Sequence, residues 1–284
     1  MKLKPQEEAW LCAQASYIIY GTADDPAGQV SSQAAMETLG FSNFVWIDLA
    51  GVFKDICAFV VSSDDYHLLV FRGTKVPQDW MTDLACTPVR FDWVFTNGPA
   101  IGEIHAGFGH CLSDGFGDII SALTPLDPTK PLLITGHSLG GALAALAGAC
   151  FNVLGSPVPS VSAIYTFGQP RIGLHDFCNT YSRILADKLV RFVNKQDLVP
   201  RVPFRGWDYS DEGLMIHFDS SGTPLVQSPE WQNFAMRTFQ SLKDFVEITT
   251  HISIDVGDHA MAGYKTLIEQ NQAALAPLFE ADNK

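Results

Sequence analysis

One serine in this chain stands between two glycines at a spacing that suits nucleophilic chemistry. Ser138 follows Gly136 by two residues and precedes Gly140 by two, in the pattern Gly-x-Ser-x-Gly. The stretch PLLIT before this pattern is typical of a strand, and the stretch GALAALAGAC after it is typical of a helix. Glycine relieves the backbone crowding that a sharp strand-to-helix turn creates around its serine. The pattern therefore predicts a nucleophile, and the alternative is a glycine-rich turn in which Ser138 only caps the helix.

A serine hydroxyl needs a base that takes its proton and an acid that orients that base. In folds with such a turn, the chain order is serine, then Asp or Glu, then histidine. Asp197 comes directly after the apolar strand LVRFV, and His259 begins a predicted helix at the end of a loop. Order and position therefore favour Ser138, Asp197 and His259. The other downstream candidates are the histidines His175, His217 and His251 and the acids Asp187, Asp208, Asp211 and Asp219.

The residue after the serine can stabilise negative charge on the group that the serine attacks. A helix N-terminus leaves its first N–H groups without intrahelical partners and attracts anions. The backbone N–H of Leu139, at the start of the predicted helix, is therefore the expected oxyanion donor. A nucleophile, a base, an acid and an oxyanion donor together are the set that acyl transfer requires.

The surrounding sequence predicts the elements that must hold these residues. From residue 57 onward, near-continuously apolar strands alternate with helices, which favours an α/β fold with a mostly parallel sheet and helices on both faces. Active sites of such sheets lie beyond the carboxyl ends of the strands. The predicted strands are 44–50, 57–63, 67–74, 131–136, 161–168 and 188–195, with a hairpin at 215–225. The predicted helices are 7–20, 108–126, 138–155, 231–248 and 258–270.

Length and composition bound the remaining possibilities. The chain has 284 residues, 47% of them hydrophobic and 17% charged, and we expect a single domain over residues 1–284. A net charge of −13 argues against a nucleic-acid partner. Acidic and polar residues interrupt residues 1–22, so no secretory signal is readable, and no apolar run reaches the roughly 18 residues of a transmembrane helix. The six cysteines are scattered without metal-binding spacing, and we expect buried thiols and no metal.

Several segments along the chain carry further patterns. They are FRGT (71–74), DWMTDL (79–84), HAGF (105–108), TGHSLGGALA (135–144), TFGQPRIG (166–173), NKQDLVPRVP (194–203) and DHAMAGY (258–264). Together they resemble the class 3, fungal-type triacylglycerol lipases of the α/β-hydrolase fold. The resemblance extends over about residues 40–270.

The resemblance implies a lipase that hydrolyses acylglycerols through an acyl-serine intermediate, without metal or organic cofactor. It implies Ser138 as nucleophile, His259 as base and Asp197 as acid, with Thr74 and Leu139 as oxyanion donors. The substrate would be a lipid or small ester, met at an oil–water interface. The family is compatible with a secreted enzyme, and the sequence indicates no oligomeric state.

Other functions fit the same residues. An esterase for short-chain or aromatic esters, such as feruloyl esters, would use the same triad, as would an A1-type phospholipase. A different class of alternative is a catalytically silent binding protein on the same fold. The sequence favours an enzyme, because a silent copy has no physical reason to keep the triad and both oxyanion elements.

A segment rich in large apolar side chains follows the oxyanion loop. Within residues 75–95 we expect a lid, in which Trp80, Met81 and Leu84 cover the site in water and contact the oil phase on opening. The alternative is that these side chains pack on the core, and for Phe91 to Phe95 the sequence favours neither interpretation.

Overall fold

A large mixed sheet lies at the centre of the molecule. The computed structural model describes residues 2–25, 27–49, 56–74, 87–95, 98–155, 157–185, 188–226 and 256–281, and within these ranges the sheet has eight strands. They are β1 (Ser42–Asp48), β2 (Cys57–Ser62), β3 (His67–Phe71), β6 (Leu132–His137), β7 (Val161–Phe167), β9 (Leu189–Asn194), β11 (Leu214–Phe218) and β12 (Pro224–Val226).

A second, smaller sheet and the helices surround it. The small sheet consists of β4 (Pro88–Arg90), β5 (Glu103–His105), β8 (Gly173–Leu174) and β10 (Tyr209–Ser210). The helices are α1 (Pro5–Ile18), α2 (Gln29–Thr38), α3 (Phe91–Val94), α4 (Ala106–Leu123), α5 (Leu139–Val153), α6 (His175–Leu185), α7 (Val256–His259), α8 (Met261–Gln270) and α9 (Gln272–Ala281). Among the helices of the described ranges, none combines the length and apolar character needed to cross a bilayer.

The order of strands in the large sheet is β1-β2-β3-β6-β7-β9-β11-β12. The five strands from β3 to β11 in this order run parallel to one another. Strands β1, β2 and β12, toward the two ends of this order, pair antiparallel with their neighbours. The expectation of a mostly parallel sheet, drawn from the apolar strands of the sequence, is therefore confirmed.

Helices cover both faces of this sheet, which is why its central strands are apolar throughout. In β3, Leu69 and Phe71 pack into the core on one face, while Leu68 and Val70 pack into the core on the other. Helices α4, α5 and α6 contribute side chains to the first core, and α1, α2, α8 and α9 to the second. A strand buried on both faces needs apolar residues at every position, whichever way each side chain points.

Some elements differ from the sequence-based expectation. Helix α2 was not predicted, because only Ser32 and Met36 of its side chains are buried and it lacks an apolar stripe. The helix predicted over 258–270 is two helices, since Ala260 between them has an extended backbone with φ −62° and ψ 130°. Helix α9 follows them and was also missed. The strands of the small sheet are two or three residues long, too short to show a periodic pattern.

The predicted lid falls partly outside the described residues. Trp80, Met81 and Leu84 lie there, as does the predicted helix 231–248. In the described part, Phe91 and Phe95 are buried in the core, whereas 68% of Trp93 is exposed. The packing alternative therefore holds for Phe91 and Phe95. Five of the six cysteines are buried thiols, and Cys86 lies outside the described residues.

Candidate active site

The site forms where four parallel strands end. Strands β3, β6, β7 and β9 are in register, so that Phe71 pairs with Gly136, His137 with Phe167, and Phe167 with Phe192. The loops that follow these strands therefore meet at one edge of the sheet, beyond the carboxyl ends. Three of the four loops carry the residues that the sequence singles out, and the fourth, after β7, lies against them.

Ser138 occupies the turn between β6 and α5. Its backbone has φ 59° and ψ −130°, a combination that residues with a β-carbon rarely adopt. Its N–H donates to the carbonyl oxygen of Phe167 at 2.9 Å, which fixes the turn on the neighbouring strand. Helix α5 starts with the next residue, Leu139, so the N–H groups of its first turn point toward the serine. The strained backbone is the geometry of a nucleophile elbow.

The two glycines of the motif allow the backbone to close around the serine. A β-carbon on Gly136 would lie 2.3 Å from the carbonyl oxygen of Gly140. A β-carbon on Gly140 would lie 2.4 Å from the carbonyl oxygen of Phe71. Both distances are shorter than any tolerated contact, and both obstacles are backbone atoms that cannot turn aside. Any other residue at either position would push the turn away from the sheet.

Asp197 and His259 form a buried hydrogen-bonded pair. The Nδ1 atom of His259 lies 2.8 Å from Oδ2 of Asp197, although the two residues come from different loops. The other carboxylate oxygen, Oδ1, accepts the N–H of Val199 at 2.9 Å. Because a carboxylate only accepts, the proton of neutral His259 lies on Nδ1 and the lone pair of Nε2 is available to a hydroxyl group.

Two residues without an assigned role in the sequence hold this pair. Tyr264 donates its hydroxyl to Oδ2 of Asp197 at 2.6 Å and accepts the N–H of Asn194 at 3.0 Å. Gly168, after β7, has φ 58°, and a β-carbon there would lie 2.8 Å from Oδ2 of Asp197 and 3.0 Å from the ring of His259. Both residues belong to segments that carry the family resemblance, which was the one signal that could have found them.

The loop after β3 packs directly on the serine turn. A β-carbon on Gly73 would lie 2.6 Å from the carbonyl oxygen of His137 and 3.1 Å from the β-carbon of Ser138. Thr74, the next residue, has a buried hydroxyl group. Neither this hydroxyl, nor Oγ of Ser138, nor Nε2 of His259 has a hydrogen-bond partner in the part of the chain that the structure describes. Buried polar atoms are almost always paired, so three unpaired atoms at one site indicate a function for them.

A buried ion cluster supports the loops behind the site. Asp211 accepts from Arg171 and Arg191, each at 3.1 Å, and also pairs with Arg205. Burial alone would raise the pKa of the Asp211 carboxyl, but the three guanidinium groups outweigh it and hold that pKa well below its usual range. Arg191 also bonds to the carbonyl oxygen of Gln169, directly after Gly168. The cluster therefore fixes the loop that faces the Asp197–His259 pair.

The cluster also contains a buried amide and a second carboxyl group. Glu212 accepts a hydrogen bond from the side chain of Gln169, and burial raises the pKa of Glu212 above its ordinary value despite nearby Arg191. Arg171 donates to the carbonyl oxygen of Pro203 at 2.8 Å, which ties the same loop to the chain after Asp197. Among the described residues, no group of three or more His, Cys, Asp or Glu side chains could hold a metal ion.

Comparison with known proteins places the chain in a family. Residues 68–207 match the family model described as Lipase (class 3). The chain is 30% identical over 207 residues to a lipase from Rhizopus niveus, an alignment that covers 70% of this chain and 51% of the relative. The chain belongs to the class 3 lipase family. The matched range contains Thr74, Ser138 and Asp197, whereas His259 lies beyond it.

Other comparisons agree with this placement. The chain is 34% identical over 212 residues to phospholipase A1-II 1 from Oryza sativa subsp. indica, an alignment that covers 65% of this chain and 50% of the relative. It thus spans about half the length of the relatives it matches. A solved structure of lipase II from Rhizopus niveus has the same fold, with a TM-score of 0.64 at 22% identity over 89% of this chain and 92% of that chain.

Proposed function

We propose that this member of the class 3 lipase family is a serine hydrolase that cleaves the carboxylic esters of acylglycerols at an oil–water interface. One observation carries the proposal. His259 is held by Asp197 through Nδ1, while its Nε2 and the Oγ of Ser138 are buried without partners among the described residues. A histidine that is oriented through one ring nitrogen and keeps the other available to the hydroxyl group is what activation of a serine requires.

The geometry supports a specific first half-reaction. Oγ of Ser138 attacks the ester carbonyl carbon while its proton passes to Nε2 of His259. Asp197 accepts from Nδ1 throughout and stabilises the imidazolium that forms. The negative charge on the carbonyl oxygen is stabilised by the N–H of Leu139 and by the N–H and hydroxyl of Thr74, each donor typically contributing ~3 kcal/mol. The bond to the alcohol then breaks, and the alkoxide takes the proton from His259.

The second half-reaction restores the enzyme. A water molecule gives one proton to Nε2 of His259 and adds its oxygen to the carbonyl carbon of the acyl-serine. The tetrahedral intermediate uses the same oxyanion donors. Collapse of the intermediate breaks the bond to Ser138, which takes the proton back, and the carboxylic acid leaves. Each step uses only groups present in the chain, together with ester and water.

The substrate class is supported by the relatives. The Rhizopus niveus relative is named a lipase, which supports acylglycerols as the substrate class. The rice relative is named a phospholipase A1 and is the more similar of the two in percentage identity. An A1-type phospholipase is therefore the second candidate, because it cleaves the same kind of ester with the same residues and differs only in the head group that its pocket accepts.

A substrate panel with one variant tests the proposal. We expect hydrolysis of p-nitrophenyl esters to fall by roughly 10⁶ in kcat for Ser138→Ala, since loss of a triad nucleophile costs about that much. Ser182→Ala is the matched control, because Ser182 lies on α6 and its hydroxyl donates to the carbonyl oxygen of Cys178 within the same helix. Retained activity of Ser138→Ala would contradict the assignment of the nucleophile.

The same panel separates the candidate functions. Emulsified triolein and phosphatidylcholine vesicles are given to the wild-type protein at equal acyl concentration. Faster release of fatty acid from triolein, rising steeply once droplets form, is the expected result for a lipase that acts at an interface. Preference for the vesicles would favour the phospholipase, and cleavage of short soluble esters alone would favour an esterase. No turnover of any ester by wild type would favour a silent binding protein.

A further inference from the structure

Tyr20 connects the N-terminal segment to two parts of the proposed machinery. Its hydroxyl lies 2.8 Å from Nδ1 of His137, the residue directly before Ser138. The backbone of Gly73, directly before Thr74, packs against the same hydroxyl. A β-carbon on Gly73 would lie 2.8 Å from this oxygen, so the loop approaches it as closely as only glycine allows. The hydroxyl therefore touches both the oxyanion loop and the serine turn.

His137 continues the connection to the base. Its Nε2 lies 2.7 Å from the backbone carbonyl oxygen of His259, and the two imidazole rings pack with centroids 4.6 Å apart. A carbonyl only accepts, so Nε2 of His137 carries the proton and Nδ1 accepts the hydroxyl of Tyr20. Burial lowers the pKa of His137 well below its ordinary value, which keeps this ring neutral and the direction of both bonds fixed at neutral pH.

We propose that Tyr20 is a positioning residue that, through His137, holds the oxyanion loop and the catalytic His259 in one geometry. The inference rests on the proposed function, because it concerns the same serine, base and oxyanion donors. The backbone of Gly73 packs against the hydroxyl of Tyr20, this hydroxyl is hydrogen-bonded to His137, and His137 is hydrogen-bonded to the main chain of His259. These residues come from four segments that are distant in sequence, and removing the Tyr20 hydroxyl breaks the connection between the oxyanion loop and His137.

A simpler role would be that Tyr20 stabilises the fold by packing. Its ring meets the ring of His137 edge-on, with centroids 5.7 Å apart. Phenylalanine keeps this contact and removes only the hydroxyl, so Tyr20→Phe separates positioning from packing. Tyr17→Phe is the matched control, because Tyr17 lies in the same region of the chain and 47% of it is exposed. Its ring, which the variant keeps, lies below Nζ of Lys265.

The experiment measures kcat and KM on p-nitrophenyl butyrate for wild type, Tyr20→Phe, Tyr17→Phe and Ser138→Ala. We expect kcat of Tyr20→Phe to fall about 10- to 100-fold with KM changed less than about threefold, because small displacements of catalytic groups cost rate rather than ground-state binding. Tyr17→Phe should match wild type. An unchanged kcat for Tyr20→Phe, or a loss confined to KM or to melting temperature, overturns the inference.

A double-mutant cycle tests whether the effect passes through His137. In a His137→Gln background, Tyr20→Phe should lower kcat by less than about threefold, because the connection is already broken. Independent losses that multiply in the double variant would overturn the inference. If Ser138→Ala keeps its activity, the proposed function fails. If Ser138→Ala is inactive and Tyr20→Phe behaves as wild type, only the role of Tyr20 fails.

Discussion

The two sides of the candidate site differ in whether their buried polar atoms have hydrogen-bond partners. On the acid side, formed by Asp197, His259 and the residues that hold them, the carboxylate accepts hydrogen bonds from three donors. On the serine side, formed by Ser138, Thr74 and the N-terminus of α5, two buried hydroxyl oxygens have no partner in the described ranges. Nε2 of His259 is likewise buried without a partner in the described ranges.

The difference shows which groups the fold has immobilised and which it has left for a substrate. A buried unpaired polar group costs about 1–3 kcal/mol, so the serine side destabilises the protein, whereas the bonds of the acid side offset the burial of a charge. Such local violations of polar pairing are expected where a function needs them. Variants of the acid side should therefore lower both activity and stability, and the size of each effect should follow how directly the residue contacts the Asp197–His259 pair.

Among variants of the acid side, Asp197→Asn is expected to lower kcat the most. The amide keeps the shape of the carboxylate, but it can donate to Nδ1 of His259 and so favour the wrong tautomer, and kcat should fall by about 10⁴. Initial rates on p-nitrophenyl butyrate measure this. Asp127→Asn, at an exposed turn before β6, is the control. A loss of less than about tenfold would show that Asp197 does not orient the base.

Gly168→Ala is expected to act next most strongly. The added methyl group would overlap Oδ2 of Asp197 and the ring of His259, at a residue whose φ of 58° already disfavours alanine. We expect kcat to fall by about 10², because the pair must move. Gly117→Ala is the control, since a β-carbon there meets nothing within 4 Å and α4 should gain stability. Equal rates for both variants would show that the pair tolerates displacement.

Tyr264→Phe tests the support of the acid directly. The variant removes the hydroxyl that donates to Asp197 and leaves the N–H of Asn194 without its acceptor. We expect kcat to fall about tenfold and the free energy of unfolding to fall by about 1–3 kcal/mol. Urea denaturation and initial rates measure the two effects on one preparation. A stability loss without any change in kcat would reduce Tyr264 to a structural residue.

The smallest effect on catalysis is expected from Asp211→Asn, which should act on stability. The folded-state pKa of Asp211 is lowered, so the contribution of its charge is fully present above the pKa of the unfolded chain, about 4, and is lost as pH falls below that value. Between pH 7 and 5, the free energy of unfolding of the wild-type protein should exceed that of the variant by about 3 kcal/mol. This difference should shrink below about pH 4. Urea denaturation at each pH measures it. A constant difference would mean that the charge is not responsible.

How much of this could be predicted depends on how local each signal is. The strands from β3 to β9 were predicted because burial on both faces demands an unbroken apolar run, which the sequence displays directly. The serine turn was predicted because its glycines lie two residues on either side of Ser138. Helix α2 and the strands of the small sheet were missed, since they are short or mostly exposed and leave no periodic pattern.

By itself, the sequence determined the nucleophile candidate, the order of acid and base along the chain, and the parallel sheet whose carboxyl ends bring them together. Only the tertiary structure decided which side chains hold them. Tyr264 lies 67 residues from Asp197, and Tyr20 lies 117 residues from His137. No sequence pattern predicts which distant residue a tyrosine hydroxyl will bond to, because the packing of strands and helices determines that partner. The serine turn can be predicted because residues adjacent in sequence determine it, whereas the hydrogen bonds that support it form only once the chain has folded.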